Sequence, residues 1–131
     1  MDKETMIKNF GAIPVEKGEK VIVIPEKRVV NILGTEYSLK VDDSLEKTSC
    51  DGVCKEYDKQ IEIRSVDAML SDDDSTETKK KRYNEVLRHE IIHAFFSESG
   101  LDDYSSNEQL VTWLAIQFPK MQKAFEEVGC L

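Results

Sequence analysis

Two histidines and a glutamate in the run His89-Glu90-Ile91-Ile92-His93 are the residues with the clearest chemical use, and these are the only two histidines of the chain. On a helix, residues four apart project from one face, about 6 Å apart along the axis. Both imidazoles can therefore reach one zinc ion, each with a ring nitrogen roughly 2 Å from the metal. Glu90 can lean over the open position of that metal and accept a proton from bound water.

The residues around this motif are apolar: Ile91, Ile92, Ala94, Phe95 and Phe96. A helix that is apolar nearly all round is buried, and buried histidines need a partner. The alternative is an ordinary helix surface carrying two partly exposed histidines. The apolar neighbours favour the zinc-binding interpretation.

A catalytic zinc site usually has three protein ligands and one position for water. Because no third histidine exists, the third ligand must be a carboxylate or a thiolate. Glu108 follows the motif helix after one short loop, on a helical face that it shares with apolar residues, and is the leading candidate. Ser105-x-x-Glu108 also matches a capping box, in which Glu108 would only reach back to the helix N-terminus. Asp102 and Asp103 remain alternative ligands.

His89-Glu90-x-x-His93 followed by Glu108 resembles the motif of the gluzincin branch of zinc metallopeptidases. The small chain is similar to the minimal single-domain members of that branch and to small metallopeptidase-like proteins encoded by phages and integrative elements. The resemblance extends over residues 83–114. It implies hydrolysis of peptide bonds with Zn²⁺ as cofactor, with His89, His93 and Glu108 as ligands and Glu90 as general base, acting on a protein or peptide substrate.

The sequence departs from the family pattern in two places. Many gluzincins have an Asp four residues after the ligand Glu that orients a zinc histidine, and Thr112 occupies that position here. They also often use a separate His or Tyr to stabilise the oxyanion. Because no histidine is spare, the resemblance leaves this role to Tyr104, with Tyr83 as the alternative. These departures suggest a second functional class, a zinc-containing or relic zincin-like binding module that acts on a protein partner without cutting it.

Composition limits the remaining possibilities. The 131 residues are 40% hydrophobic, which is enough for the core of one domain. A formal net charge of −8 repels phosphate backbones, so we expect no nucleic-acid partner. No segment approaches the roughly 18 apolar residues of a membrane helix, and the N-terminus lacks the pattern of a signal peptide. We therefore expect a cytoplasmic protein, and the oligomeric state stays open.

The chain has three cysteines, and an odd number fits a reducing compartment better than a disulfide framework. Cys50 and Cys54 are four residues apart, with no second pair downstream, so incidental thiols are favoured over a second metal or redox site. Cys130 is expected to be a free thiol.

The order of apolar and polar residues predicts a single α+β domain, from 1 to 131. A loosely ordered segment over 1–19 precedes a small twisted sheet over 20–65, a motif helix over 76–98 and one or two C-terminal helices over 105–129.

Within the sheet, strands are predicted at 20–24 and 28–33, and 36–41 reads as a continuation of the second strand or as a third one. Segments 52–57 and 60–64 flank Asp58-Lys59 and read as a hairpin. Ile61 and Ile63 alternate with Glu62 and Arg64, which predicts one buried face and one solvated face. By the resemblance, the edge strand beside the motif helix binds substrate, and we expect the 60–64 strand either to have that place or to be an ordinary strand of the sheet.

The helical half carries its own expectations. Residues 65–70 are expected to form a helical turn, and Asp74-x-x-Glu77 reads as a capping pair for the motif helix. Gly100 is expected to end that helix in a left-handed conformation. The basic run 79–82 reads as a solvated face. Pro119 is expected to divide the C-terminal segment into two helices, near 106–118 and 120–128.

Overall fold

The computed structural model describes residues 12–14, 20–22 and 27–131. The first two segments are strands β1 (Ala12–Pro14) and β2 (Lys20–Ile22), which pair antiparallel. β2 covers the first part of the strand predicted over 20–24. The expected loose order of the first 19 residues falls almost entirely outside the described residues.

Four further strands form a mixed sheet: β3 (Lys27–Ile32), β4 (Thr35–Val41), β5 (Gly52–Lys55) and β6 (Gln60–Ile63). Their order is β3-β4-β6-β5. The pairs β3–β4 and β5–β6 are antiparallel, whereas β4 and β6 are parallel. The sheet therefore consists of two hairpins joined through a parallel pair.

A tight turn separates β3 from β4. Leu33 and Gly34 both have positive φ, 52° and 92°, as a type I′ turn requires. The side chain of Asn31 accepts a hydrogen bond of 2.8 Å from the backbone N–H of Gly34. The chain reverses here, so residues 35–41 form a separate strand and do not continue the preceding one.

The 60–64 strand does not lie at the edge beside the motif helix, so that expectation is wrong and the alternative of an ordinary sheet strand is correct. β6 lies inside the sheet between β4 and β5, and the terminal strands among those described are β3 and β5. Ile61 and Ile63 are fully buried, as their alternation predicted. Glu62 was expected to face water but is only 6% exposed, and Lys55 donates a 2.8 Å hydrogen bond to its carboxylate.

The helical half contains α1 (Thr76–Glu98), α2 (Asp102–Ser105) and α3 (Glu108–Glu127). Two 3₁₀ turns, Asp43–Thr48 and Val66–Ala68, lie in the connections, and the second confirms the turn expected over 65–70. Together with the sheet, these helices confirm the predicted α+β fold.

The two ends of α1 are fixed by local hydrogen bonds. Its N-cap is Ser75, whose hydroxyl accepts from the N–H of Thr78 at 3.1 Å, so the capping pair predicted one residue earlier is wrong. At the other end Gly100 has a φ of 71°, and the N–H of Leu101 bonds to the carbonyl of Phe96 at 2.9 Å. This is the left-handed glycine stop that the sequence predicts.

Pro119 does not divide the C-terminal segment, contrary to the prediction, and lies inside the single helix α3. A proline has no N–H for the carbonyl four residues earlier, which here belongs to Ala115. The guanidinium of Arg88 on α1 donates to that carbonyl at 2.7 Å. The side chain thus replaces the missing helical hydrogen bond and ties α3 to α1 beside the histidine motif.

The basic run at the start of α1 is only partly solvated, which corrects the sequence-based interpretation. Lys79 is 9% exposed and donates to the carbonyl of Asp67 at 3.2 Å, and the ammonium of Lys80 lies 4.7 Å from the centre of the Tyr83 ring. Arg82 pairs with acidic neighbours. These contacts fasten the first turns of α1 to the rest of the molecule.

The core lies between the sheet and α1. Its fully buried side chains include Ile32, Tyr37, Ile61, Ile63 and Met69. None of the described helices is long and apolar enough to cross a membrane.

Candidate metal centre

The central turns of α1 place His89 and His93 on one face, as their spacing predicts. Their Nε2 atoms are 3.1 Å apart and their ring centroids 4.8 Å apart. Both side chains are mostly buried, with 22% and 13% of their surfaces exposed. The two ring nitrogens therefore point to a common position at the protein surface.

Glu108 completes this group as the first residue of α3. One carboxylate oxygen lies 3.0 Å from Nε2 of His89 and the other lies 3.0 Å from Nε2 of His93. The face that Glu108 shares with apolar residues suggested an inward direction. The side chain is instead 66% exposed and extends across the surface. The three side chains form a cluster whose ligand atoms all lie within 4.8 Å of one another.

The capping alternative for Glu108 is wrong. The N-cap of α3 is Asn107, whose side-chain oxygen accepts from the N–H of Leu110 at 3.0 Å. The carboxylate of Glu108 does not cap the helix and contacts the two histidines instead. Asp102 and Asp103, the alternative ligands, are exposed in the first turn of α2 and do not belong to this cluster of described residues.

The donor set fits a zinc ion in its chemistry and its dimensions. Two imidazole nitrogens and a carboxylate are a common ligand set for catalytic zinc. Ligands about 2.0–2.1 Å from a tetrahedral metal lie roughly 3.3–3.4 Å apart, and the distances of 3.0–3.1 Å here are slightly shorter. A small outward movement of these side chains would accommodate the ion.

Electrostatics also favours a bound cation. Burial, together with the neighbouring His93, lowers the pKa of His89 below its usual range, which favours the neutral ring that a metal ligand must have. Contact with Glu108 as an ion pair would instead require a protonated ring. A cation between the three groups would supply the positive charge that a neutral ring does not.

Glu90 lies next to the cluster and is 5% exposed. Burial, and secondarily the charge of Glu108, raises the pKa of Glu90 to about 7. Among the described residues, its Oε2 atom has no hydrogen-bond partner. A buried polar atom left unpaired costs folding free energy, and such atoms are uncommon outside functional sites.

Gly52 on β5 explains how Glu90 is held. A Cβ atom at this position would lie 2.8 Å from Cγ1 of Val86 and 3.1 Å from Cγ of Glu90. The absence of a side chain therefore lets β5 lie directly against α1, and the backbone of β5 restricts the conformations that are open to the Glu90 side chain.

Two cavities meet at His89 and Glu90. The cluster cavity, about 450 Å³, contains the three-residue cluster and extends along β5 past Val53 and Cys54. The arginine cavity, about 400 Å³, is bordered by Arg82 and shares Gly52, His89 and Glu90 with the cluster cavity. Glu90 therefore lines both cavities.

The cysteines behave as incidental thiols, and within the described residues all three are free. Cys54 borders the cluster cavity, where burial raises the pKa of its thiol to about 12. It therefore stays protonated near neutral pH, which disfavours it as a nucleophile or zinc ligand.

The tyrosines suggested for oxyanion stabilisation lie elsewhere. Tyr104 is 52% exposed, its ring lies 5.9 Å from that of Phe96, and neither cavity of the described residues is lined by it. Tyr83 is buried, and its hydroxyl accepts from Arg28 at 2.8 Å. The structure therefore gives Tyr104 no contact with the cluster.

Two further residues approach the cluster without any expectation from the sequence. Ser105 is 6% exposed, and its hydroxyl lies 3.4 Å from Nδ1 of His93 and 3.3 Å from the carboxylate of Glu56. His93 and Glu56 are 12 and 49 positions away from Ser105 in the sequence, so no local pattern connects the three residues. Ser105 was predicted only as the N-cap of the helix that carries Glu108, whereas it is the last residue of α2.

The comparisons with known proteins found nothing to set beside this site: no family model, curated protein or solved structure matches the chain.

Proposed function

We propose that this protein is a zinc-dependent peptidase. The observation that carries the proposal is the convergence of His89, His93 and Glu108 on one position beside Glu90, a buried carboxyl group with one oxygen that has no partner among the described residues. Zinc held by these three ligands would polarise a substrate carbonyl and lower the pKa of a water in the open position towards about 7.

Glu90 has the properties of a general base and acid for this reaction. A group whose pKa is near 7 can accept a proton at neutral pH and later return it to the leaving amine. Glu90 lines both the cluster cavity and the arginine cavity, so a substrate in either cavity could reach it.

β5 supports a peptide as the substrate. It is one of the two terminal strands of the described sheet and borders the cluster cavity through Gly52, Val53 and Cys54. An extended peptide can add to such an edge through backbone hydrogen bonds, which require no particular side chains. The substrate carbonyl would then lie over the cluster.

The second candidate is a zinc-containing binding module that does not cleave its partner. It is favoured by the placement of Tyr104, which borders neither cavity of the described residues, and by Thr112, an exposed residue where related enzymes have an Asp. In this case the same cleft would hold a protein segment without hydrolysis.

Zinc content and peptide cleavage together test the proposal. We expect one zinc per wild-type chain after dialysis against a weak chelator, and much less in Glu108→Ala. Glu46→Ala, an exposed glutamate on a 3₁₀ turn, is the matched control and should keep its zinc.

A random peptide library incubated with micromolar protein then distinguishes the two candidates. Cleavage by the wild type that a strong chelator abolishes would support the peptidase. Zinc binding without cleavage of any library member would favour the binding module, and equal zinc in both Glu variants would contradict the ligand assignment.

A further inference from the structure

We propose that Ser105 and Glu56 form a hydrogen-bonded chain that orients His93 for metal binding. This inference rests on the proposed function, because it concerns one of the three proposed zinc ligands. Ser105 is a positioning residue in this arrangement: its hydroxyl lies beside Nδ1 of His93, the ring nitrogen that does not face His89 and Glu108, and it acts through the imidazole ring.

The ring of His93 determines the direction of the chain. Its Nε2 atom faces His89 and Glu108, at 3.1 and 3.0 Å. A nitrogen that binds a metal carries no proton, so the proton of the neutral ring must be on Nδ1. Nδ1 lies 3.4 Å from the hydroxyl oxygen of Ser105, which can accept its N–H.

The hydroxyl of Ser105 must then donate elsewhere. It has one proton, and the oxygens within reach are the carboxylate of Glu56 and the backbone carbonyl of His93, both at 3.3 Å. A carboxylate is the stronger acceptor because it is charged. The resulting order is His93 N–H to Ser105 and Ser105 O–H to Glu56, which places a negative charge at the end of the chain.

The hydrogen-bonded chain from His93 through Ser105 to Glu56 has the same role as a carboxylate that contacts a zinc histidine directly. Such partners fix the tautomer and orientation of the ring and increase its basicity. Thr112, at the position where many gluzincins have an Asp, borders the arginine cavity and is not among the residues that line the cluster cavity. Glu56 and Ser105 supply the partner from β5's hairpin loop and from the end of α2.

Burial makes the hydroxyl of Ser105 difficult to replace. Ser105 is 6% exposed and His93 has 13% of its side chain exposed, so water has little room to replace the hydroxyl. Removing that hydroxyl would leave the Nδ1–H without an acceptor in a mostly buried place. Changes of this kind typically weaken metal binding by about 10–100-fold.

The experiment measures zinc affinity by competition with a chelating dye. We expect Ser105→Ala to weaken binding by about 10–100-fold, Ser105→Thr to remain closer to the wild type because it keeps the hydroxyl, and Glu56→Gln to show a smaller loss. Ser106→Ala is the matched control: this neighbouring serine borders the same cavity but bonds to the carbonyl of Asp102.

A second readout does not depend on affinity. In the zinc-loaded wild type, the Nδ1–H proton of His93 should give a slowly exchanging NMR signal, which Ser105→Ala should broaden or abolish and Ser106→Ala should keep. A purely structural role of Ser105 would not affect this proton selectively.

The outcomes separate this inference from the proposed function. Zinc-free wild-type protein would overturn both. A wild type that binds zinc, together with a Ser105→Ala variant that binds it as tightly as Ser106→Ala, would overturn the chain alone. If Ser105→Ala does not fold, Glu56→Gln decides, and unchanged affinity and an unchanged His93 signal in that variant would contradict the inference.

Discussion

Glu90 and Glu98 are the same residue type on the same helix, two turns apart, and their surroundings are opposite. The carboxylate of Glu98 accepts hydrogen bonds from Tyr37, Lys59 and Thr35, at 2.6, 2.7 and 2.9 Å. Glu90 is buried beside the cluster of His89, His93 and Glu108, and among the described residues one of its oxygens has no partner.

The two pKa values express this difference. The hydrogen bonds from Lys59, Tyr37 and Thr35 lower the pKa of Glu98 to about 2, so it is a permanent anion that fastens the end of α1 to the sheet. Burial raises the pKa of Glu90 to about 7, so it can exchange a proton at neutral pH. The same side chain is thus a structural anchor where its oxygens are satisfied and a candidate base where they are not.

The largest expected effect comes from removing the proton acceptor. Glu90→Gln should lower peptide cleavage by about 10²–10⁴-fold, the usual contribution of a general base. Zinc content should not change, and thermal stability should be equal or higher, because a buried unpaired carboxyl group has been replaced by a neutral amide. Turnover by the variant at the wild-type rate would refute Glu90 as the base.

Crowding Glu90 through the strand should have the next largest effect. Gly52→Ala places a methyl group 2.8 Å from Val86 and 3.1 Å from the Glu90 side chain, which should destabilise the fold by about 1–3 kcal/mol and lower cleavage. Urea unfolding measures the first quantity. Val86→Ala in the same chain should reduce the additional cost of Gly52→Ala, and fully additive effects would contradict the close approach.

The contrast between polar groups with and without hydrogen-bond partners can also be tested at Arg88, which contacts α3, the helix that carries Glu108. Arg88→Ala leaves the Ala115 carbonyl without a donor, because Pro119 cannot supply one, and should cost about 1–3 kcal/mol. Pro119→Ala restores a helical N–H. The same Arg88 substitution should then cost less, and a double-mutant cycle by urea unfolding that shows no coupling would exclude this account.

The smallest effect should come from Glu98, whose contacts are near the surface and partly screened. Its folded pKa of about 2 is lower than the usual 4.3 of an unfolded chain, so its contribution to stability is complete above about pH 5 and disappears as the pH falls towards 2. Glu98→Gln should flatten that part of the stability profile, measured by thermal unfolding between pH 2 and 6. Cleavage per folded molecule should not change.

Much of the fold and part of the site could be predicted because the information is local. Helix α1 follows from the apolar residues around its motif and from its glycine stop at Gly100, and the face shared by His89 and His93 follows from their spacing alone. Glu108 could be proposed because it follows the motif helix after one short loop. The hairpin of β5 and β6 was predicted from the short turn at Asp58-Lys59, but not which of its strands lies at the edge, because strand order depends on pairing between distant segments.

The sequence by itself determined the motif helix, the pair of histidines on one face of it and the adjacent glutamate, since each depends only on spacing along a single helix. Only the tertiary structure decided that Glu108 reaches both ring nitrogens, that Arg88 keeps α3 continuous through Pro119, and that the unexpected Ser105 lies against His93. The physical reason is that burial and hydrogen bonds between distant segments depend on how the elements pack, and no local pattern of residues encodes them.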